Sequence, residues 1–198
     1  MDYPPTGDEA QAVIDTFTPE RVSADILKVA DAVGANRFAW FGYSWGGVVG
    51  LQLAATSTRL TALVCGGWPP LGAPYREMVS WSERVAARTG LPDWAMTVTY
   101  YRGLLTWPER EAVSSISCPC MAYAGIDDVI VSEGTRFRVG PLLAERRSEL
   151  EKMGWTIQLI DGERHDLFMR PDIVVPLIRG FLEPIFTVGQ PQTRSWPA

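Results

Sequence analysis

The residues best suited to nucleophilic chemistry lie in segment 42–47, which reads Gly-Tyr-Ser-Trp-Gly-Gly. This segment contains the pattern G-x-S-x-G between an apolar run that predicts a strand and an apolar run that predicts a helix. On such a sharp turn the serine hydroxyl projects into the open, and the crowded backbone favours glycine at positions 42 and 46. Ser44 is therefore the candidate nucleophile, and the backbone N–H of Trp45, at the start of the helix, is the expected oxyanion donor. The alternative is a glycine-rich turn with an inert serine.

A serine hydroxyl attacks only after a base takes its proton, and the chain contains a single histidine. His165 lies in segment 161–166, directly after the strand predicted at 155–160. The loops that follow parallel strands meet at one edge of the sheet, so we expect His165 near Ser44. The alternative is a surface histidine without a chemical role.

A histidine base needs an acid that fixes its tautomer and stabilises the imidazolium. Segment 124–128 reads Ala-Gly-Ile-Asp-Asp and follows the third predicted strand. Asp127 and Asp128 are both within reach of such a role, and the other aspartate suits a turn position. The residues alone leave this choice open.

The elements that must position these side chains alternate along the chain. Strands are predicted at 38–43, 60–66, 121–124 and 155–160, and helices at 19–33, 46–57, 142–153 and 173–182. Such alternation predicts right-handed βαβ units and a mostly parallel sheet flanked by helices, which is the α/β fold class, in one domain over 1–198. Residues 187–198 are polar and contain proline, and we predict a flexible tail there.

Segment 68–116 breaks this alternation with four tryptophans, three tyrosines and helical stretches separated by prolines. We predict that it is a helical cap inserted between two strands. Trp45, next to the nucleophile, and Trp68 are the candidate substrate-binding side chains of an apolar pocket. The alternative is that these rings pack the cap against the sheet.

Three segments together resemble the α/β-hydrolase superfamily, and the resemblance extends from about residue 1 to residue 186. Segment 42–47 looks like its nucleophile elbow, segment 125–128 looks like its G-x-x-D acid loop, and segment 162–166 is similar to its histidine loop. Segment 2–7 is less closely similar to the D-x-x-G-x-G turn after the family's fourth strand.

The resemblance implies an α/β-hydrolase fold and a serine hydrolase with an acyl-serine intermediate. It places the nucleophile on Ser44, the acid on Asp128 and the base on His165, in the chain order that this family uses. The expected substrate is a small molecule with an ester or related acyl bond, and no cofactor is expected.

The sequence departs from the family before the elbow. Family members usually carry three or four strands there, and a loop that often begins His-Gly and gives a second oxyanion donor. We therefore expect an N-terminally truncated protein whose activity is reduced, since one such donor is worth about 100- to 1000-fold in turnover. The strand at 38–43 has no predicted neighbour on one side, and the alternative to truncation is that a second copy pairs with it, as a homodimer. A catalytically weak or inactive remnant that acts as a binding protein is the alternative function.

Composition excludes several other classes. The net charge is −5 and no Lys/Arg-rich run occurs, which argues against a nucleic-acid partner. No apolar stretch is long enough to cross a membrane. The three cysteines form no disulfide framework and no metal-binding pattern, so we expect a cytoplasmic protein without a metal site.

Overall fold

A computed structural model describes residues 10–187, which form a parallel sheet with helices packed on it and a small separate hairpin. In chain order the strands are β1 (Phe38–Tyr43), β2 (Leu60–Gly66), β3 (Cys120–Gly125), β4 (Val129–Ser132), β5 (Thr135–Arg138) and β6 (Trp155–Ile160). The sheet has the order β1-β2-β3-β6 with every pair parallel, and β4 and β5 pair antiparallel. The predicted α/β class and the four predicted strands are confirmed.

Eight α-helices connect and flank these strands in the described residues. They are α1 (Ala10–Thr16), α2 (Pro19–Ala32), α3 (Trp45–Thr56), α4 (Tyr75–Thr89), α5 (Pro92–Gly103), α6 (Glu109–Ser115), α7 (Val139–Lys152) and α8 (Pro171–Thr187). Helix α2 starts as its sequence predicts, because the Thr18 hydroxyl accepts a hydrogen bond from the Arg21 N–H and Pro19 occupies the first turn. A short 3-10 helix, His165–Met169, follows β6.

The strand register brings the loops after the strands to one edge. Tyr43 pairs with Gly66, Gly66 pairs with Tyr123, and Gly125 pairs with Ile160, so β1, β2, β3 and β6 end side by side. In a parallel sheet this carboxyl edge is where loops form binding sites.

The sheet buries apolar side chains on both of its faces. Helix α3 is buried along most of its length, and it packs against β1 and β2. On the other face, α8 contributes Val174 and its apolar neighbours to a smaller cluster with Tyr123 and Leu167. Both faces of the central strands are thus covered, as the apolar sequences of these strands require.

Four elements differ from the sequence prediction. The β4–β5 hairpin, α1 and the 3-10 helix were not predicted, and α8 continues to Thr187 through Pro176 and Pro184. The hairpin has a two-residue turn at Glu133 and Gly134, both with positive φ, which matches the right-handed twist of paired strands. The three helices α4, α5 and α6 occupy most of the segment predicted as a cap.

Strand β1 lies at the edge of the described sheet, and Phe41 on this strand is 48% exposed. Helix α1 packs against α5. Homodimerisation through strand 38–43 stays a prediction.

The similarity assigned to segment 2–7, and the predicted tail beyond residue 187, lie outside the described residues. Within them, no helix has the length and apolar character needed to span a membrane.

Candidate active site

Ser44 lies on a strained turn between β1 and α3. Its φ of 52° and ψ of −115° lie in a region that non-glycine residues rarely adopt. The Ser44 N–H donates to the Gly66 carbonyl at 2.7 Å, and the Ser44 carbonyl accepts from the Gly47 N–H at 2.9 Å. These bonds hold a conformation that costs about 1–3 kcal/mol, which is typical of functional sites.

The glycines around this turn have different roles. A Cβ on Gly42 would lie 1.9 Å from the Gly46 carbonyl oxygen, so no side chain fits there. A Cβ on Gly46 would meet no atom within 4 Å, so the expected crowding is found at the first position only. A Cβ on Gly47 would lie 2.8 Å from Trp68 Cβ, so Gly47 permits the close approach of this tryptophan.

The His165 ring lies within hydrogen-bond distance of both other predicted side chains, those of Ser44 and Asp128. Its Nε2 lies 3.0 Å from Ser44 Oγ, and its Nδ1 lies 2.9 Å from Asp128 Oδ2. In the tautomer in which Nδ1 donates to the Asp128 carboxylate, Nε2 accepts the hydrogen bond from the Ser44 hydroxyl. The arrangement is a hydrogen-bonded relay from a buried carboxylate to a hydroxyl.

The two neighbouring aspartates have opposite environments. Asp128 is fully buried, whereas Asp127 is exposed. The other carboxylate oxygen of Asp128, Oδ1, has no hydrogen-bond partner among the described residues, so the bond to His165 is the main compensation for its burial. Geometry therefore favours Asp128 as the partner of His165.

Backbone contacts fix the acid loop against the histidine loop. The Ile126 N–H donates to the Ile160 carbonyl at 2.9 Å, and the Asp127 N–H donates to the Glu163 carbonyl at 3.3 Å. A Cβ on Gly125 would lie 2.0 Å from the Glu163 carbonyl oxygen, so glycine at this position allows the loops to meet. The acid loop and the histidine loop are thus held together beside Ser44.

Tyr43 is a site residue that the sequence analysis did not single out. Its hydroxyl donates to the His165 carbonyl at 3.0 Å, and the ring centroids of the two residues lie 5.5 Å apart. Burial, followed by the nearby Asp128 carboxylate, raises the pKa of Tyr43 well above its usual range, so its hydroxyl remains a donor. Its position directly before the serine was the one available signal.

The Trp45 backbone N–H is the first of α3. It lies beside Ser44 at the positive end of the helix dipole, and no acceptor among the described residues bonds to it. This leaves the N–H available to a developing negative charge.

A cavity of about 290 Å³ opens beside Ser44 and His165, and its walls are mostly apolar. Trp45 and Trp68, the two predicted substrate-binding residues, both line it. The Trp45 ring also stacks on Phe17, with centroids 5.9 Å apart, and Trp68 stacks on Tyr101 at 6.1 Å. Each tryptophan therefore contributes both to core packing and to the cavity wall.

Sequence reasoning missed the part of this wall that comes from β4, β5 and α7. Its members are Ile130, Phe137, Arg138, Val139 and Leu142. Within residues 10–187 no group of three or more His, Cys, Asp and Glu side chains is placed to hold a metal ion.

Comparison with known proteins gives matches along most of the chain. The sequence model described as "Alpha/beta hydrolase family" matches residues 3–177. The protein named "Putative carbamate hydrolase RutD" from Enterobacter cloacae subsp. cloacae is 32% identical over 91 residues, which cover 45% of this chain. The same match covers 34% of that protein, so the chain aligns with about a third of this relative's length.

Solved structures share the fold at low sequence identity. An E-2-(acetamidomethylene)succinate hydrolase superposes with a TM-score of 0.64 at 16% identity, over 92% of this chain and 76% of its own. An enol-lactonase from Burkholderia xenovorans superposes with a TM-score of 0.59 at 18% identity, over 84% of this chain and 73% of its own. At these identities the similarity establishes the fold.

Proposed function

The chain belongs to the alpha/beta hydrolase family, and we propose that it cleaves an ester or related acyl bond of a small molecule through an acyl-serine intermediate. The observation that carries this proposal is the pair of hydrogen bonds at His165: Nδ1 donates to Asp128 Oδ2 at 2.9 Å, and Nε2 accepts from the Ser44 hydroxyl at 3.0 Å. A serine activated in this way attacks carbonyl carbons.

In the first half of the proposed reaction, Ser44 Oγ attacks the carbonyl carbon while His165 Nε2 takes the hydroxyl proton. The carbonyl oxygen becomes an oxyanion that accepts a hydrogen bond from the Trp45 N–H. Asp128 stabilises the resulting imidazolium through Nδ1. The tetrahedral intermediate then expels the leaving alcohol, which takes its proton from Nε2, and the acyl group remains on Ser44.

In the second half, a water molecule attacks the acyl carbon and gives one proton to His165 Nε2. Collapse of this second intermediate releases the carboxylic acid, and Ser44 recovers its proton from Nε2. The base and acid roles of His165 thus alternate without any additional group.

We assign helices α4 and α5 to a cap over this site. Met78 and Trp81 from α4, and Trp94, Thr97 and Tyr101 from α5, all line the cavity beside Ser44. An apolar cavity over the nucleophile excludes water and strengthens the electrostatic interactions inside it. The same helices therefore serve both as a wall for substrate and as a cover for the reaction.

The names of similar proteins agree with acyl-bond chemistry. A carbamate, a lactone and an acetamido group each present a carbonyl carbon bonded to a leaving oxygen or nitrogen, and proteins named for such substrates share this fold or part of this sequence. Attack by Ser44 on a carbonyl carbon is chemistry of the same class.

A second candidate function is a binding protein with weak or no turnover. Residues 10–37, which precede β1, form two helices with their connections and contain no His-Gly loop that would supply a second oxyanion donor. A site with a single oxyanion donor turns over about 100- to 1000-fold more slowly than one with two, and it still binds.

Hydrolysis of p-nitrophenyl butyrate separates the two candidates. We expect the wild type to show a burst of one equivalent of p-nitrophenol followed by steady turnover, because with this activated ester the acyl-enzyme forms faster than it is hydrolysed and therefore accumulates. Ser44→Ala should remove the burst and lower kcat by about 10³-fold or more, with its fold intact by circular dichroism. A folded wild type without burst or turnover, or equal rates in the two proteins, contradicts the hydrolase proposal.

A further inference from the structure

The hairpin formed by β4 and β5 grows directly out of the acid loop. Its first residue, Val129, follows Asp128, and its last residue, Arg138, precedes α7. At this base the Gly140 N–H donates to the Asp128 carbonyl at 3.0 Å. The hairpin therefore has a fixed position relative to the proposed catalytic acid.

The two faces of the hairpin have different surroundings. Ile130 and Phe137 are a cross-strand pair, and both line the cavity beside Ser44. Val131 lies on the opposite face and is 70% exposed. Only one face of this hairpin is thus in a position to contact substrate.

Hydrogen bonds hold the tip of the hairpin against α4. Trp81 Nε1 donates to Ser132 Oγ at 3.0 Å, and Arg84 donates to the Glu133 carbonyl at 3.1 Å and to the Thr135 hydroxyl. Arg88 Nε donates to the Glu133 carboxylate at 2.8 Å. Because both ends of the hairpin are fixed, its inner face is a stable part of the cavity wall.

Aromatic rings continue this wall from the hairpin into the cap. Phe137 is only 5% exposed and meets the Trp81 ring edge-on, with centroids 5.5 Å apart. Trp81 in turn meets Trp94 edge-on at 4.9 Å. These edge-to-face contacts hold the rings against one another, so a ligand must fit the space that they leave.

The size and lining of the cavity limit what fits. At about 30 Å³ for each water-sized group, a volume of about 290 Å³ holds about ten nonhydrogen atoms. Among the described residues no carboxylate lines the cavity, and its one charged side chain, Arg138, is paired with Glu145. The remaining wall is mostly aromatic and aliphatic and favours an apolar ligand. The leaving alcohol must diffuse away while the acyl group stays on Ser44, so the walled side suits the acyl group.

We propose that the β4–β5 hairpin sets acyl specificity, with Phe137 as the residue that limits chain length, so that the site takes an apolar acyl group of up to about ten nonhydrogen atoms. This proposal rests on the proposed hydrolase function. It names the substrate class of that site and assigns a role to an element outside the relay.

The test is a series of p-nitrophenyl esters with a constant leaving group, at concentrations below micelle formation. We expect kcat/KM to be highest for butyrate and octanoate and at least about tenfold lower for dodecanoate, since misfit of even one methylene costs about tenfold or more. Phe137→Ala should raise the dodecanoate-to-butyrate ratio of kcat/KM about tenfold. Val131→Ala, on the outer face of the same hairpin, should leave the ratio unchanged.

Two further variants test the same proposal if Phe137→Ala does not fold. Phe137→Leu removes less volume and should shift the ratio in the same direction, whereas Ile130→Phe adds a ring beside Phe137 and should shift it toward acetate. An unchanged chain-length profile in all folded inner-face variants, or the same shift in Val131→Ala, overturns the proposal.

Binding to Ser44→Ala separates this proposal from the hydrolase proposal. Octanamide and dodecanamide are uncharged and are followed by quenching of tryptophan fluorescence. We expect octanamide to bind at least about tenfold more tightly than dodecanamide, and Phe137→Ala in this background should remove the difference. Tighter binding of octanamide than of dodecanamide would support the role of the hairpin even if the wild type hydrolyses no ester. Ester hydrolysis together with equal binding of the two amides would overturn the role of the hairpin and leave the hydrolase proposal intact.

Discussion

At the scale of single residues, the environments of two adjacent aspartates decide their roles. Asp128 is buried and bonded to His165 Nδ1, whereas Asp127 is exposed and its backbone N–H supports the loop. A buried carboxylate without this partner would be costly, so the pair Asp128–His165 positions the imidazole as well as stabilising its charge.

Asp128→Asn should reduce kcat about 10⁴-fold, because an amide in place of the carboxylate favours the wrong tautomer of the histidine. Asp127→Asn is the matched control, since it makes the same chemical change one residue away in an exposed side chain, and it should leave kcat unchanged. Steady-state kinetics with p-nitrophenyl butyrate measures both. Equal losses in the two variants would show that the relay does not run through Asp128.

The residues alone did not decide whether Asp127 or Asp128 is the acid. Spacing placed both aspartates in the same loop, and only the resemblance to a family pattern favoured Asp128. Tyr43, whose hydroxyl bonds to the His165 carbonyl, was missed because a tyrosine inside an apolar strand also fits a core position. Which side chains bond to His165 depends on the geometry of the loops, and a sequence pattern does not contain that geometry.

At the scale of elements, the strand-to-helix turn depends on close contact between β1 and the start of α3. The Trp40 indole N–H donates to the Gly46 carbonyl at 3.0 Å, and that same carbonyl occupies the space where a Gly42 side chain would be. The contact fixes the first turn of α3, and with it the direction of the Trp45 N–H.

Gly42→Ala should destabilise the protein by about 3 kcal/mol or more, or prevent folding, because the added Cβ overlaps backbone that cannot move aside. Gly46→Ala is the matched control. Its Cβ meets open space, and alanine is favoured over glycine in a helix by about 0.8–1 kcal/mol, so its stability should equal or exceed that of wild type. Urea denaturation gives the free energy of unfolding for both, and similar losses would refute the crowding at Gly42.

Elements were predictable where hydrophobic periodicity was strong. Strands 38–43, 60–66 and 155–160 were found with the bounds of β1, β2 and β6, since each is a dense apolar run between turn residues. The β4–β5 hairpin was missed although its Glu-Gly turn lies between alternating residues, because a strand pair outside the main sheet leaves only a short signal. The missed hairpin is also where the proposed specificity resides.

At the scale of the whole molecule, the burial of tyrosines makes the stability of the fold depend on pH. Burial raises the pKa of five tyrosines above the usual value: Tyr43, Tyr75, Tyr100, Tyr101 and Tyr123. In the unfolded chain these groups ionise near pH 10, while in the folded protein they remain protonated. The unfolded state therefore binds fewer protons above pH 10, and stability falls as the pH rises.

Each of the three buried tyrosines, Tyr100, Tyr101 and Tyr123, should remove about 1.4 kcal/mol of stability for each pH unit above 10, and the half-buried Tyr43 and Tyr75 should remove less. We therefore expect cooperative alkaline unfolding. Absorbance at 295 nm should report their ionisation together with the loss of far-ultraviolet circular dichroism. The stability that depends on them should be fully present below pH 10. Reversible ionisation of five tyrosines near pH 10 with an unchanged dichroism spectrum would contradict their burial.

An activated Ser44 at the carboxyl edge of the sheet is the premise of the proposed hydrolase function. A fluorophosphonate probe forms a covalent bond only with such a serine, and intact mass with peptide sequencing locates the bond. We predict one equivalent of label on Ser44 in the wild type, none in Ser44→Ala, and strongly slowed labelling in His165→Ala. A folded wild type that stays unlabelled, or that carries the label on another residue, would contradict the account.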